Sequence, residues 1–146
     1  MQPRFDRPVE EAVLNLLVAA ASLHAQLERL CAGHDITQGQ YNVLRILRGA
    51  HPEGYARCDI ARRLIDRAPD VTRLIDRLER AGLVERVRSE RDRRLSVTRI
   101  TRKGLRLLEE MQPRLDALLG ELAARLPARD ARELSRICEG IYAADE

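Results

Sequence analysis

"PDVTRLIDRLERAGLVERVRSERDRRLSVTRIT" (Pro69–Thr101) changes its hydrophobic period once, at Gly82. Before that glycine, Val71, Leu74, Ile75 and Leu78 recur at i, i+3, i+4 and i+7, the spacing of one buried helical face. Pro69 suits a first helical position and Gly82 a helix stop. Beyond Gly82, "LVERV" and "LSVTRI" are rich in β-branched residues and flank the polar "RSERDRR". That pattern predicts a two-stranded hairpin, with an imperfect alternation at Arg99 and Ile100. Val84–Thr101 carries six arginines, with the charge in the middle and the apolar residues at the ends.

Immediately upstream, "CDIARRLID" predicts a short helix with Ile60, Ala61, Leu64 and Ile65 inward. Two short helices, a tight turn and a basic hairpin make a winged helix–turn–helix. The small Ala61 lets the second helix cross closely, although the turn "IDRA" holds no glycine. The outward face of the second helix carries Asp70, Thr72, Arg73, Asp76, Arg77 and Arg80. The start of such a helix enters the DNA major groove, about 12 Å wide. Arg73 and Arg77 are candidates for guanine edges or phosphates, and Thr72 for a thymine methyl or a phosphate. Asp70 either accepts from a cytosine amino group or holds Arg73 in place. At the hairpin tip, Arg91, Arg93 and Arg94 suit the negative potential of a flanking minor groove. Asp92 between them can clamp one guanidinium by a bidentate pair. The competing account is a solvated charged surface with intrahelical pairs Arg73–Asp76 and Asp76–Arg80.

Working outward, Pro8 opens a long helix that ends near Gly33, with Glu10 and Glu11 in its first turn. Its stripe of Val9, Val13, Leu16, Leu17, Ala20, Leu23, Leu27 and Leu30 is joined by Leu14, Val18 and Ala21 off the stripe, so more than one face asks for cover. Thr37 is the expected N-cap of a second helix carrying Tyr41, Leu44 and Leu47, and "HPEGY" is a turn. Thr101 caps a long helix running from Leu105 through Leu122, with a kink expected at Pro113. Pro127 ends it, and a last helix carries Leu134, Ile137 and Ile141. The fold class is mainly α with a small β-hairpin wing, in a single domain spanning 1–146.

Composition bounds the function. Hydrophobic residues make up 45% of the 146 residues, aromatics 3%, and Trp is absent, so the core is built from Leu, Ile, Val and Ala. The net charge is only +3 but unevenly placed. Arg57–Arg106 holds 16 basic against 8 acidic residues, net +8, and the remainder 10 against 15, net −5. A basic centre between acidic flanks suggests an anionic partner for the centre. Cys31, Cys58 and Cys138 are odd in number, far apart and without a CxxC, which fits free thiols. The start is not a signal peptide, and the apolar run Ala12–Leu23 is too short to span a bilayer. A soluble, cytoplasmic protein without a membrane partner is expected. An enzyme built on His24, His34 or His51 with Cys31 or Cys58 lacks any nucleophile motif, phosphate loop or metal spacing. No catalytic activity, cofactor or metal is expected. A pure protein-interaction module is disfavoured by arginines clustered on both helix face and wing.

"VTRLIDRLERAGLVER", the wing "DRR" and "ITRKG" together resemble the MarR-type (multiple antibiotic resistance regulator) family. The family pattern Asp-x-Arg followed by Thr-x-x-Gly falls on Asp92, Arg94, Thr101 and Gly104. The resemblance is good from Thr37 to about Leu108, and the outer helices agree in length and position. It implies a winged helix–turn–helix lobe over 37–104 and an obligate homodimer whose dimerisation lobe comes from helices within 8–33 and 105–144. It implies binding of a pseudo-palindromic double-stranded DNA operator by Asp70, Thr72, Arg73, Arg77, Arg91, Arg93 and Arg94, with Asp92 as orienter. It also implies repression relieved by a small effector, often aromatic, for which Tyr41, Arg45, His24 and Arg57 are the candidate contacts. "APDV" departs from the Ser or Thr common at Ala68–Asp70, so an operator different from the common ones is expected. Redox-sensing relatives carry a reactive Cys early in the first helix, which this chain lacks. A thiol-oxidation-sensing repressor of the same fold is the alternative.

Overall fold

The computed structural model describes residues 7–65, 70–89 and 95–143. In chain order the elements are α1 (Pro8–Ala32), α2 (Gln38–Gly49), α3 (Arg57–Arg63), α4 (Val71–Arg80), β1 (Val84–Arg88), β2 (Ser96–Ile100), α5 (Arg102–Arg125) and α6 (Ala128–Tyr142). The fold is mainly helical with one two-stranded antiparallel hairpin. The chain divides into two compact units, Met1–Glu110 and Met111–Glu146.

In the first unit α2 is the central element, packed by α1, α3, α4 and β2, and its Val43, Leu44 and Leu47 are wholly buried. A reciprocal capping box sets where it starts. Thr37 Oγ1 accepts from the Gln40 backbone N–H at 3.2 Å, and Gln40 Oε1 accepts from the Thr37 N–H at 2.8 Å. The stripe of α4 falls as its spacing demands, with Val71, Ile75 and Leu78 buried and Leu74 half-buried. Ile60 from α3 and Val84 from β1 complete the core around them.

Two boundaries differ from the sequence expectation. Helix α3 stops at Arg63. Leu64 turns extended (φ −66°, ψ 140°) and stays buried, but the next side chain, Ile65, is 83% exposed. Ile65 is therefore not inward, because leaving the helix at Leu64 ends the i, i+4 relation that would have buried it. Its N–H is held by Asn42 Oδ1 at 3.0 Å. Helix α4 starts at Val71, with Asp70 as its N-cap. The Asp70 carboxylate accepts the Arg73 N–H at 3.2 Å, and its charge lies at the positive end of the helix dipole. Pro69, the expected start, lies outside the described residues.

The hairpin pairs Val84 with Ile100, Arg86 with Thr98 and Arg88 with Ser96. Thr98 and Ile100 are buried and share a face, so the irregular look of "VTRI" is a true two-residue alternation. The turn before α3 supplies a further pairing that its sequence did not suggest. Tyr55 and Thr98 exchange both backbone hydrogen bonds, at 2.8 and 3.0 Å. Gly54 beside it has φ +78°, and a Cβ there would meet the Thr98 carbonyl oxygen at 2.3 Å.

Thr101 joins hairpin to helix. Its N–H donates to the Leu83 carbonyl, its hydroxyl donates to the Gly82 carbonyl at 2.7 Å, and the same oxygen accepts from Gly104 N–H at 3.2 Å.

The long apolar helix α1 buries only its last turn, at Leu30 and Cys31. Leu17 is 61% and Val18 63% exposed. In the second unit α6 has no buried residue, and its Leu134, Ile137 and Ile141 are all exposed or half-exposed. Pro113 lies inside α5. No helix among the described residues is long and apolar enough to cross a membrane.

Candidate nucleic-acid interface

Burying Val71, Ile75 and Leu78 turns the opposite side of α4 to solvent, and Thr72, Arg73, Arg77 and Arg80 are all exposed there. Arg73 Nε lies 3.3 Å from Asp70 Oδ2, so Asp70 both caps the helix and steadies the first arginine of the face. The intrahelical pairs Arg73–Asp76 and Asp76–Arg80 are not formed. Asp76 is taken instead by Arg86 of β1, whose guanidinium forks between Asp76 and Glu79. The Asp76 hydrogen bond raises the Arg86 pKa further above its ordinary value, with Glu79 adding to it. Among the described residues no ion pair engages Arg77 or Arg80. A helix about 10–12 Å across with this face matches the major groove in width. Arg91, Asp92, Arg93 and Arg94, the candidates at the wing tip, lie outside the described residues.

Of the four effector candidates the structure brings two together. Tyr41 is buried, its hydroxyl accepts from Arg45 Nη1 at 3.2 Å, and the guanidinium stands 5.9 Å from the ring centroid. His24 is exposed on α1, 3.8 Å from Glu28, and Arg57 is exposed at the start of α3. Among the described residues no bond joins either to the Tyr41–Arg45 pair.

Cys31 is fully buried, and burial, aided by nearby Glu28, pushes its thiol up to about 11. Cys58 is exposed, Cys138 is half-buried, and all three are free. Among the described residues no three His, Cys, Asp or Glu side chains group as a metal site.

The MarR family model matches residues 36–96, which run from the residue before the α2 cap to the start of β2. A crystal structure of a MarR transcription factor from Planctomyces limnophilus is 38% identical, covers 93% of this chain and 98% of its own, and superposes with a TM-score of 0.69. The chain belongs to the MarR family. The transcriptional activatory protein BadR of Rhodopseudomonas palustris is 33% identical over 117 residues, 79% of this chain and 67% of its own. The homoprotocatechuate degradative operon repressor of Escherichia coli is 24% identical over 134 residues, 92% of this chain and 89% of its own. As a MarR-family member this chain is a DNA-binding transcription regulator with the winged helix–turn–helix fold.

Within this MarR-family chain the Thr-x-x-Gly of the motif acquires a physical meaning. Thr101 ties the end of α4 to the start of α5. Gly104 follows because a Cβ there would meet the Leu83 carbonyl oxygen at 2.4 Å and Ile100 Cγ1 at 2.7 Å. The Asp-x-Arg half of the motif, Asp92 and Arg94, falls outside the described residues. Sequence reasoning did not find Arg86, Tyr55, Arg63 or Asn42. Arg86, Tyr55 and Asn42 act on residues of other elements, brought near by the hairpin register and helix packing, whereas Arg63 reaches Asp59 on its own helix and the Tyr55 ring just before it.

Proposed function

We propose that the protein is a homodimeric repressor that binds a pseudo-palindromic duplex and leaves it on binding a small aromatic effector. The carrying observation is the pairing of two surfaces: the exposed Thr72–Arg73–Arg77–Arg80 face of α4, and apolar stripes on α1 and α6 that the single chain leaves uncovered. A second copy is the natural cover for those stripes, and a two-fold dimer places two α4 helices on successive turns of the duplex. Thr72, Arg73 and Arg77 read bases or phosphates from the major groove, with Asp70 as the steadying group. Arg91, Arg93 and Arg94, with Asp92 as orienter, reach the flanking minor groove. The name of the Escherichia coli relative joins repression to an aromatic degradative operon. Tyr41 and Arg45 offer a phenol and a cation side by side for a small acidic aromatic effector, with His24 and Arg57 as further candidates. The regions 8–33 and 105–144 serve the dimer and 37–104 the DNA.

The test is fluorescence anisotropy with the duplex upstream of the protein's own gene. Submicromolar binding, a steep fall in affinity between 50 and 200 mM salt (a range typical for such tests), and release by aromatic acids are expected. Equal affinity for every duplex, or none at low salt, contradicts the reading. A promoter–reporter fusion that loses expression when the regulator is deleted makes it an activator, as BadR is named. The thiol-sensing alternative rests on Cys58 and Cys138, since a protonated, buried Cys31 is a poor nucleophile. Peroxide-driven release that survives Cys→Ser replacement at all three positions eliminates it.

A further inference from the structure

Two elements of this fold must reach DNA together, α4 and the hairpin, and one side chain joins them. Directly opposed residues of a hairpin share a face, so Arg86, opposite Thr98, leaves the strand on the side of buried Val84 and Ile100. That side meets α4. There the Arg86 guanidinium donates one arm to Asp76 and the other to Glu79, three residues apart on one helical edge. The Arg86 backbone N–H also donates to Glu79 Oε1 at 3.3 Å. The connection continues on the far side of the hairpin. Thr98 exchanges backbone hydrogen bonds with Tyr55, and Arg63 of α3 stacks 4.3 Å from the Tyr55 ring centroid while pairing with Asp59. The three elements of the DNA-binding unit, α3, α4 and the hairpin, are thus tied through one row of residues.

We propose that Arg86 is a positioning residue for DNA recognition: its fork onto Asp76 and Glu79 sets the angle between the reading helix and the wing, so that both engage one duplex at once. This rests on the DNA-binding reading of α4. Arg86 itself touches no base or phosphate in this account, since both of its guanidinium arms are committed to carboxylates. Bidentate base contacts depend on placement within about 0.5 Å, and a hinge between helix and wing loses that placement. Specific binding suffers more than non-specific binding, because phosphate attraction tolerates a loose geometry.

The experiment uses the full-length chain and two probes: a duplex selected by the unmodified protein from a random-sequence pool, and a scrambled duplex of the same length. Arg86→Gln, Arg86→Lys and the triple variant Arg86→Gln/Asp76→Asn/Glu79→Gln are compared, with thermal unfolding as the check on folding. Arg86→Gln is expected to weaken the selected duplex about tenfold or more, weaken the scrambled duplex less than about threefold, and leave the salt slope unchanged. The triple variant removes all three charges and leaves the cluster one unit more positive than in the natural chain, so the loss on the selected duplex, which is expected to remain, is then geometric rather than electrostatic. Arg86→Lys falls between, because an ammonium lacks the planar fork but remains cationic; it also serves if the Gln variant does not fold. Unchanged specific affinity in Arg86→Gln overturns the proposal. So does a salt slope reduced by about one with equal losses on both duplexes, which makes Arg86 a phosphate contact. Full recovery in the triple variant overturns it too, leaving charge cancellation alone. Failure of the unmodified protein to select any duplex instead removes the DNA-binding reading beneath it.

Discussion

Thr101 makes four hydrogen bonds at the junction between hairpin and α5, two through its backbone and two through one hydroxyl. Thr101→Val keeps the shape and removes that hydroxyl, leaving the Gly104 N–H and the Gly82 carbonyl each short of a partner. A loss of about 1–2 kcal/mol in urea unfolding is expected. Gly104→Ala sets a methyl 2.4 Å from the Leu83 carbonyl oxygen, which backbone cannot readily yield, and a loss of about 1–3 kcal/mol is expected by the same measurement. Gly49→Ala is the control, since a Cβ there meets nothing within 4 Å, and stability should hold or rise by up to about 1 kcal/mol. Cys31 gives a pH signature. Its folded thiol lies at about 11 against an ordinary 9.0, so the unfolded chain releases the proton first as pH rises. The stability it contributes is complete below pH 9 and is lost between 9 and about 11, with about 1 kcal/mol gone by pH 10. Unfolding midpoints at pH 8 and pH 10 should therefore diverge more in the natural chain than in Cys31→Ala. At neutral pH a thiol reagent should label Cys58 well before Cys31.

At the scale of elements, α4 shows how a cap and a reading face share residues. Its first-turn N–H groups need an acceptor, and Asp70 supplies one while also holding Arg73 by Nε. Asp70→Ala should cost about 1 kcal/mol of stability, seen in thermal unfolding, and should also blur discrimination between the selected duplex and single-base variants. Asp70→Asn keeps the cap acceptor and loses the charge, so it separates the two effects: stability nearly kept, discrimination reduced. Helix α3 illustrates the limit of periodicity. Ile60, Ala61, Leu64 and Ile65 look like one face in the sequence. The chain leaves the helix at Arg63, and the last of them turns outward. Hydrophobic spacing reports what a helix would bury if it continued, not where it stops. The stop is supported here by Asn42 accepting the Ile65 N–H from another helix.

For the whole molecule, the exposed apolar residues fall mainly on α1 and on α6. A shallow groove along α1 is lined by Val9, Val13, Leu14 and Leu17 together with the charged Arg7 and Glu10. Under the proposed dimer these faces are covered by the second copy. Leu17→Glu with Val18→Glu should then shift the protein from dimer to monomer in sedimentation and weaken binding to a two-half-site duplex more than to a single half-site. A chain that sediments as a monomer before any substitution contradicts the dimer. Uneven charge acts at this scale as well. The basic segment Arg57–Arg106 is flanked by acidic ends, which favours approach of a polyanion to the centre and makes association rates fall as salt rises.

The sequence by itself determined the helical faces, the hairpin and the caps at Thr37 and Thr101, because each depends on residues within a few positions of one another. A 3.6-residue period, a two-residue period and a side chain reaching its own helix start are local physics. It also placed Thr72, Arg73 and Arg77 on the outward side of α4, since burying Val71, Ile75 and Leu78 leaves no other side for them. The tertiary structure alone decided where Asp76 spends its charge, that Tyr55 pairs with Thr98, and that Ile65 faces solvent. Arg86 and Asp76 are ten residues apart and Tyr55 and Thr98 forty-three. Such partners meet only after the hairpin register and the packing around α2 are set, and no spacing rule in the chain encodes either one.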